Sequence, residues 1–262
     1  MIIHGTNIKY CMPPLPFVGN KRLYQSKICE IIKRFEGARV FDAFGGSGLL
    51  SRLTKDTRPD LDVTLNDISD YEYRLSCVDD TNKILHRLRD AGAYRSDKRY
   101  ARYDKETEEK LKHIVSDAMD YYTASVNVFA RHGNTVRAKC RCKDYDVKLC
   151  EHWYDGLNKT HTELTAFGDL KNEYDLYILD PPYKTKPGFT GSGERYVGDD
   201  KGAIRFCMEC IESGAKIILF DEVDSDLINL FCNVNPLFYA YRPNNKPNKR
   251  KWNADDVMVT NV

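Results

Sequence analysis

Apolar positions along the chain follow two rhythms, and their succession predicts the elements. Ile28, Ile31, Ile32 and Phe35 fall at i, i+3, i+4 and i+7, the stripe of a helix over about residues 21–35, with Gly37 as its stop. Val40-Phe41-Asp42-Ala43-Phe44 reads as a buried strand that runs into Gly45-Gly46-Ser47-Gly48 and a short helix. Val63 to Asp67 is a second strand, followed by helical pattern to about Arg89. This β-α-β order predicts a parallel sheet with right-handed crossovers.

Between about Arg87 and Thr165 the rhythm changes. A charged stretch leads into a helical pattern outlined by Leu111, Ile114, Val115, Ala118, Met119 and Tyr122. Residues 132–161 then become short, irregular and rich in Cys, His and aromatics, as expected of an insertion with its own small core. Strand patterns resume at 174–180, 215–221, 237–241 and 256–262, with helices at about 201–212 and 225–231. The last two strands, joined by a Pro/Asn/Lys loop, are expected to pair as an antiparallel hairpin at one edge. The fold class is therefore α/β, with residues 1–82 and 164–262 forming the main domain and residues 83–163 inserted.

Composition adds bounds. The 262 residues carry 40 Lys+Arg and 39 Asp+Glu, a formal charge of +1, which excludes a histone-like polycation. No apolar run approaches the roughly 18 residues of a membrane span. The opening Met-Ile-Ile-His-Gly-Thr does not read as a secretory signal, so a cytoplasmic location is expected, with the nine cysteines as reduced thiols, metal ligands or core packing rather than disulfides. Charge is nonetheless uneven. Residues 1–39 hold seven bases against two acids, and residues 242–252 hold five bases and no acid. Brought together, the two ends would make a phosphate-binding face.

Two motifs carry chemistry. The first is the glycine turn after the strand ending near Asp42, with Asp67 placed 21 residues beyond Gly46 at the end of the next strand. In nucleotide-type α/β folds such an acid accepts hydrogen bonds from a ribose hydroxyl, so an adenosine-containing cofactor is expected. The second is Asp180-Pro181-Pro182-Tyr183 after the apolar strand at 174–179. A strand-end Asp faces the ligand crevice of an open sheet. The prolines remove N–H donors and leave carbonyls free. Asp180 and a proline carbonyl can then accept both hydrogens of one exocyclic amine, while Tyr183 offers a face for stacking a base.

These motifs resemble those of the Dam-like DNA adenine-N6 methyltransferases. Asp180 to Tyr183 matches the family's catalytic tetrad, and Asp42-x-Phe44-x-Gly46-x-Gly48 its S-adenosylmethionine loop. Phe17-Val18-Gly19-Asn20-Lys21 is similar to its amino-terminal element, although Phe17 stands where Trp or Tyr is usual. Asn66-Asp67 matches the acidic ribose position, Phe167-Gly168-Asp169 resembles an element near the cofactor adenine, and 256–261 resembles the final strand. The resemblance implies a Rossmann-like methyltransferase fold, a mostly parallel sheet and an inserted target-recognition domain. It implies site-specific DNA methylation, as in restriction-modification, by transfer from S-adenosylmethionine to the N6 of an adenine flipped out of double-stranded DNA. Catalytic residues would be Asp180, Pro181, Pro182 and Tyr183. Phe17, Lys21, Asp42, Phe44, Gly46, Gly48, Asp67, Phe167 and Asp169 would bind cofactor. RNA adenine or cytosine-N4 methylation, or an inactive nucleic-acid binding homologue, remain as alternatives, and the oligomeric state is expected to be a monomer or weak dimer. The Gly-rich stretch 187–193 reads as a lid or an ordinary loop.

Within the insertion, Cys140, Cys142, Cys150 and His152 would converge on a structural zinc if two paired strands carried them; small apolar cysteines on one hairpin face are the other reading. Arg131, Arg137, Lys139, Arg141 and Lys143 interleave with His132, Trp153 and Tyr154, types that suit phosphate contact, base readout and stacking.

Overall fold

The computed structural model describes residues 11–17, 21–115, 119–129, 139–181, 200–242 and 256–262. Seven strands form one sheet because their apolar residues alternate between two faces that both need covering. These are β1 (Arg39–Asp42), β2 (Asp62–Asn66), β5 (Asn158–Thr160), β6 (Leu176–Leu179), β7 (Ile217–Glu222), β8 (Tyr239–Tyr241) and β9 (Asp256–Thr260). Their spatial order is β5-β2-β1-β6-β7-β9-β8. The contacts from β5 through β7 are parallel, whereas β9 runs antiparallel to both β7 and β8. This is the expected mostly parallel, Rossmann-like sheet with a carboxy-terminal hairpin. The hairpin enters with β9 beside β7, and β8 becomes the edge.

On one face Val40, Val63, Leu176, Ile178, Ile218, Phe220 and Met258 pack against α1 (Gln25–Arg34) and α2 (Leu49–Thr57). On the other, Phe41, Tyr177, Leu179, Ile217, Leu219, Val257 and Val259 pack against α8 (Asp200–Glu212) and α9 (Asp226–Val234). The chain runs outward from β1 to β2, then returns to place β6 on the far side of β1. The strand order therefore reverses between β1 and β6, where the carboxyl ends open a crevice. Asp175 pins the opposite end: its Oδ2 accepts from the Ala38 and Arg39 backbone N–H groups, each at 2.9 Å, aligning β1 with β6.

The middle of the chain builds a third core from α3 (Tyr71–Ser76), α4 (Val78–Asp90), α5 (Lys105–Ile114), α6 (Tyr121–Phe129), α7 (Val147–Glu151) and a two-stranded ribbon, β3 (Tyr100–Arg102) with β4 (Lys139–Arg141). Three features differ from the sequence reading. The single helix outlined by Leu111 to Tyr122 is two, because Val115 turns extended (φ −58°, ψ 125°) and ends α5. Ala118 lies outside the described residues. Residues 158–160, grouped with the insertion at 83–163, form β5 and extend the main sheet. Finally, α4 runs without a break through the expected boundary at 82/83.

Asn66 ties these parts together. Its Nδ2 donates to the Ala43 carbonyl (3.1 Å) and the Thr162 carbonyl (2.9 Å), while Oδ1 accepts from Thr160 Oγ1 (2.8 Å) and Thr162 N–H (2.9 Å). Every bonding capacity of this buried amide is used across three segments. Truncation strands those partners, and each buried unsatisfied group costs about 1–3 kcal/mol. Asn66→Ala is expected to lower unfolding free energy by about 3 kcal/mol in urea titration; a loss under ~1 kcal/mol would show that water replaces the amide.

Candidate functional site

The carboxyl edge of the sheet is lined with acids. In spatial order, Asp67 follows β2, Asp42 ends β1, Asp180 follows β6 and Asp221 lies near the end of β7. Asp256 opens β9 at the same edge, because that strand is antiparallel and pairs there with Glu222. Strand ends place all five at this one edge of the sheet.

Burial acts on Asp42, Asp67, Asp180 and Asp221, and each of the four has partners of its own. Asp42 is fully buried; Oδ2 accepts from Ser51 Oγ at 2.6 Å, while Oδ1 has no hydrogen-bond partner among the described residues. Burial pushes its pKa up to about 7, with Asp180 and Asp67 adding like charge and the Ser51 bond opposing. Asp67 is raised to about 6 by burial, offset by hydrogen bonds from the Ser69 hydroxyl, the Ser69 backbone and the Gly46 backbone. Asp180 is also raised to about 6 by burial, against the pull of Lys21, whose Nζ lies 2.7 Å from its Oδ2. Asp221 is raised by burial as well.

The glycine turn lies over this edge. Gly46 (φ 52°) and Gly48 (φ 71°) adopt left-handed backbone, so side chains there would be strained. Gly48 caps α2, and its N–H donates to the Gly45 carbonyl at 2.8 Å. A Cβ on Gly46 would come within 2.6 Å of the Phe17 ring, and one on Gly48 within 2.6 Å of Tyr154. The backbone is thus held bare between two aromatic side chains. Phe17 meets Tyr71 edge to face at 5.4 Å. Tyr71 in turn fixes Leu15 by two hydrogen bonds of 3.0 Å each, donating from its hydroxyl to the carbonyl and accepting from the N–H.

Asp42, Gly46, Gly48, Asp67 and Phe17 are therefore brought together, with Asp180 and the buried Pro181 across the switch point. Phe44 is half-buried against Phe206. Phe167 is buried against Tyr177 (5.0 Å) and Phe206 (5.6 Å), so its ring belongs to the core beneath α8. Asp169 lies in the 3-10 turn Gly168–Leu170. Pro182, Tyr183 and the stretch 187–193 lie outside the described residues, as do Arg131, His132 and Arg137. Lys21, expected at the cofactor, pairs with Asp180.

The zinc expectation is corrected. Among the described residues no group of three or more His, Cys, Asp or Glu is placed to hold a metal ion. Cys140 on β4 and Cys142 just beyond it are buried in the apolar core, Cys150 sits on a helix rather than a paired strand, and His152 faces outward to Asp155 at 3.0 Å. Burial drives the Cys140 and Cys150 thiols up to about 12, which keeps them protonated packing groups. Trp153 and Tyr154 are likewise not surface stacking groups: the buried indole donates from Nε1 to the Ser47 carbonyl at 2.7 Å, and Tyr154 flanks Gly48. The sequence carries no local signal for either contact, since the partners stand about a hundred residues apart.

Sequence comparison places these features in context. Residues 17–231 match the profile of the D12 class N6 adenine-specific DNA methyltransferases. A Haemophilus influenzae protein provisionally named a methyltransferase is 31% identical over 188 residues, 65% of this chain and 63% of that protein. The chain thus spans a little under two-thirds of that relative's length. A crystal structure of a provisionally named methylase from H. influenzae aligns over 95% of this chain and 92% of its own at TM-score 0.37 and 13% identity. A precorrin-6y C5,15-methyltransferase from Geobacter metallireducens aligns over 95% and 97% at TM-score 0.35 and 9% identity.

Because Asp42 titrates near 7 when folded and near 4 when unfolded, its contribution to stability is full below about 4 and is lost as pH rises through about 7. Asp42→Asn removes the charge but retains an acceptor for Ser51. Its melting temperature is expected to exceed the wild type's at pH 8 and to change less between pH 5 and pH 8. A pH slope equal to the wild type's would refute the burial argument.

Proposed function

The chain belongs to the D12 class N6 adenine-specific DNA methyltransferase family, and we propose that it methylates the N6 amine of adenine in double-stranded DNA, with S-adenosylmethionine as donor. The observation that carries this reading is the pairing of an acceptor carboxylate and a proline carbonyl, Asp180 and Pro181, with the glycine turn on the neighbouring strand. The residues at the turn suit the cofactor. A bare, left-handed backbone permits close approach of a ligand, Asp67 is placed for a ribose hydroxyl, and Asp42 Oδ1 is a buried acceptor without a partner among the described residues. A row of carboxylates also favours a cationic ligand over a neutral one. When bound, S-adenosylmethionine supplies an electrophilic methyl carried on a sulfonium.

The protein's share is positioning. The N6 lone pair of adenine is delocalised into the ring, so the amine is a weak nucleophile. Hydrogen bonds from its two N–H groups to Asp180 and the Pro181 carbonyl localise that pair and aim it. Pre-alignment of this kind is worth several kcal/mol of barrier. Asp180 accepts most strongly, and through both oxygens, when ionised, which its pKa of about 6 provides at neutral pH. Because N6 lies within a base pair, the adenine leaves the stack first, and the middle segment built on α4 to α7 serves as the target-recognition domain. Among the described residues no helix is long and apolar enough to cross a membrane.

Asp180→Ala is expected to reduce methyl transfer at least ~10³-fold while cofactor affinity changes less than ~3-fold. The assay is radiolabelled methyl transfer to duplex DNA, RNA and adenine-free, cytosine-containing oligonucleotides. Equal activity on RNA, or incorporation at cytosine N4, would replace the substrate assignment; a variant near wild-type activity would remove Asp180 from the mechanism.

A further inference from the structure

Lys21 is the charged group closest to the proposed methylation centre that the reaction has not yet used. It stands directly before a 3-10 turn, Arg22–Tyr24, and its carbonyl accepts from the Tyr24 N–H at 2.9 Å, which fixes where its side chain departs. The side chain is only 6% exposed, and its ammonium lies 2.7 Å from Asp180 Oδ2 and 5.6 Å above the Phe220 ring centroid. Such burial of a lysine is stable when its charge is met, and Asp180 meets it.

The surroundings of Asp180 are otherwise unfavourable to an anion. Asp42 faces it from β1, Asp221 from β7, Asp256 from β9, Cys207 from α8 and Tyr24 from the amino-terminal turn. The three aspartates repel a further negative charge, and burial opposes it as well; Lys21 pulls the other way through both its charge and its hydrogen bond.

We propose that Lys21 is a positioning residue for Asp180: it keeps that carboxylate ionised within the acid row and engages Oδ2, leaving Oδ1 to accept from the amine being methylated. This role differs from the cofactor contact that the resemblance implies for Lys21, and it rests on the functional reading given above. No covalent step is added, since Lys21 neither gives nor takes a proton.

The first test needs no substrate. In the full chain, the Asp180 carboxyl is followed by ¹³C chemical shift against pH in the wild type, Lys21→Met and Lys21→Arg. Lys21→Met is expected to raise its titration midpoint by at least ~1 pH unit, and Lys21→Arg to hold it near the wild-type position. An unchanged midpoint in Lys21→Met overturns the proposal, whatever the enzyme methylates. The second test is the pH profile of kcat/KM on duplex DNA. With Lys21→Met the acid limb is expected to move upward, giving a ~3-fold or greater loss at pH 6.5 that narrows at pH 9, with S-adenosylmethionine affinity by calorimetry within ~3-fold of the wild type. A loss equal at every pH, accompanied by weakened cofactor binding, would make Lys21 a cofactor ligand and overturn the proposal. Wild-type protein inactive on every nucleic acid, together with the expected carboxyl shift, would sink the methyltransferase reading and leave the ion-pair role standing.

Discussion

Negative charge withdrawn from water at the carboxyl edge of the sheet is the constraint to which the rest of the structure answers. Asp67, Asp42, Asp180 and Asp221 stand on four adjacent strands, and none is free to shed its neighbours. The molecule meets each with its own partners: the Ser51 hydroxyl for Asp42, the Ser69 hydroxyl and backbone N–H groups for Asp67, an ammonium for Asp180, and the Glu222 N–H at 2.7 Å for Asp221. Such an edge weakens the empty fold, because protonation or solvation would suit every one of these groups better. Structures retain that kind of cost where a ligand repays it. A site short of positive charge and rich in acceptors favours a cationic ligand over a neutral or anionic one.

The middle segment is part of this site as much as a neighbour to it. Trp153 holds Ser47 in the glycine turn, Tyr154 covers Gly48, and Tyr71 and Arg74 grip the segment that carries Phe17. Arg74 is fully buried, donating from Nε to Asn127 Oδ1 on α6 (3.0 Å) and from NH2 to the Pro16 carbonyl (2.8 Å). A single guanidinium therefore spans the helical segment and the strip of chain that closes over Gly46. The link between α6 and the glycine turn is thus one desolvated side chain.

Much of this could be read before any coordinates. The alternation in Val40-Phe41 and Leu176 to Leu179 marks strands covered on both faces, and the 3.6-residue stripe through Ile28, Ile32 and Phe35 marks α1. The strand-end positions of Asp42, Asp67 and Asp180, and the need for glycine at 46 and 48, follow from local rules that spacing captures. What escaped are contacts that depend on tertiary placement. Lys21 meets Asp180 from 159 residues away, and Trp153 meets Ser47 from 106 away. The cysteines misled for a related reason: Cys140 and Cys142 share a face as their spacing requires, but what that face meets is apolar core, and sulfur serves equally as ligand and as packing atom. The helix drawn through Leu111 to Tyr122 failed because a periodicity of apolar residues survives a turn that no glycine or proline announces.

The antiparallel β9 has a bearing on how the protein comes into being. β8 has no place in the sheet until β9 lies between it and β7, so a ribosome delivers the outer strand before the one that seats it. Tyr24 donates from its hydroxyl to the Asp256 carbonyl at 3.0 Å, joining residues 232 apart in sequence. Contacts of such separation close late and slow the search for the native state. During synthesis the open flank of β7, with Ile218 and Phe220 facing one layer and Leu219 the other, waits as an unpaired apolar edge. That interval, more than any property of the finished sheet, is when a nascent chain of this topology is exposed to aggregation and in need of chaperones.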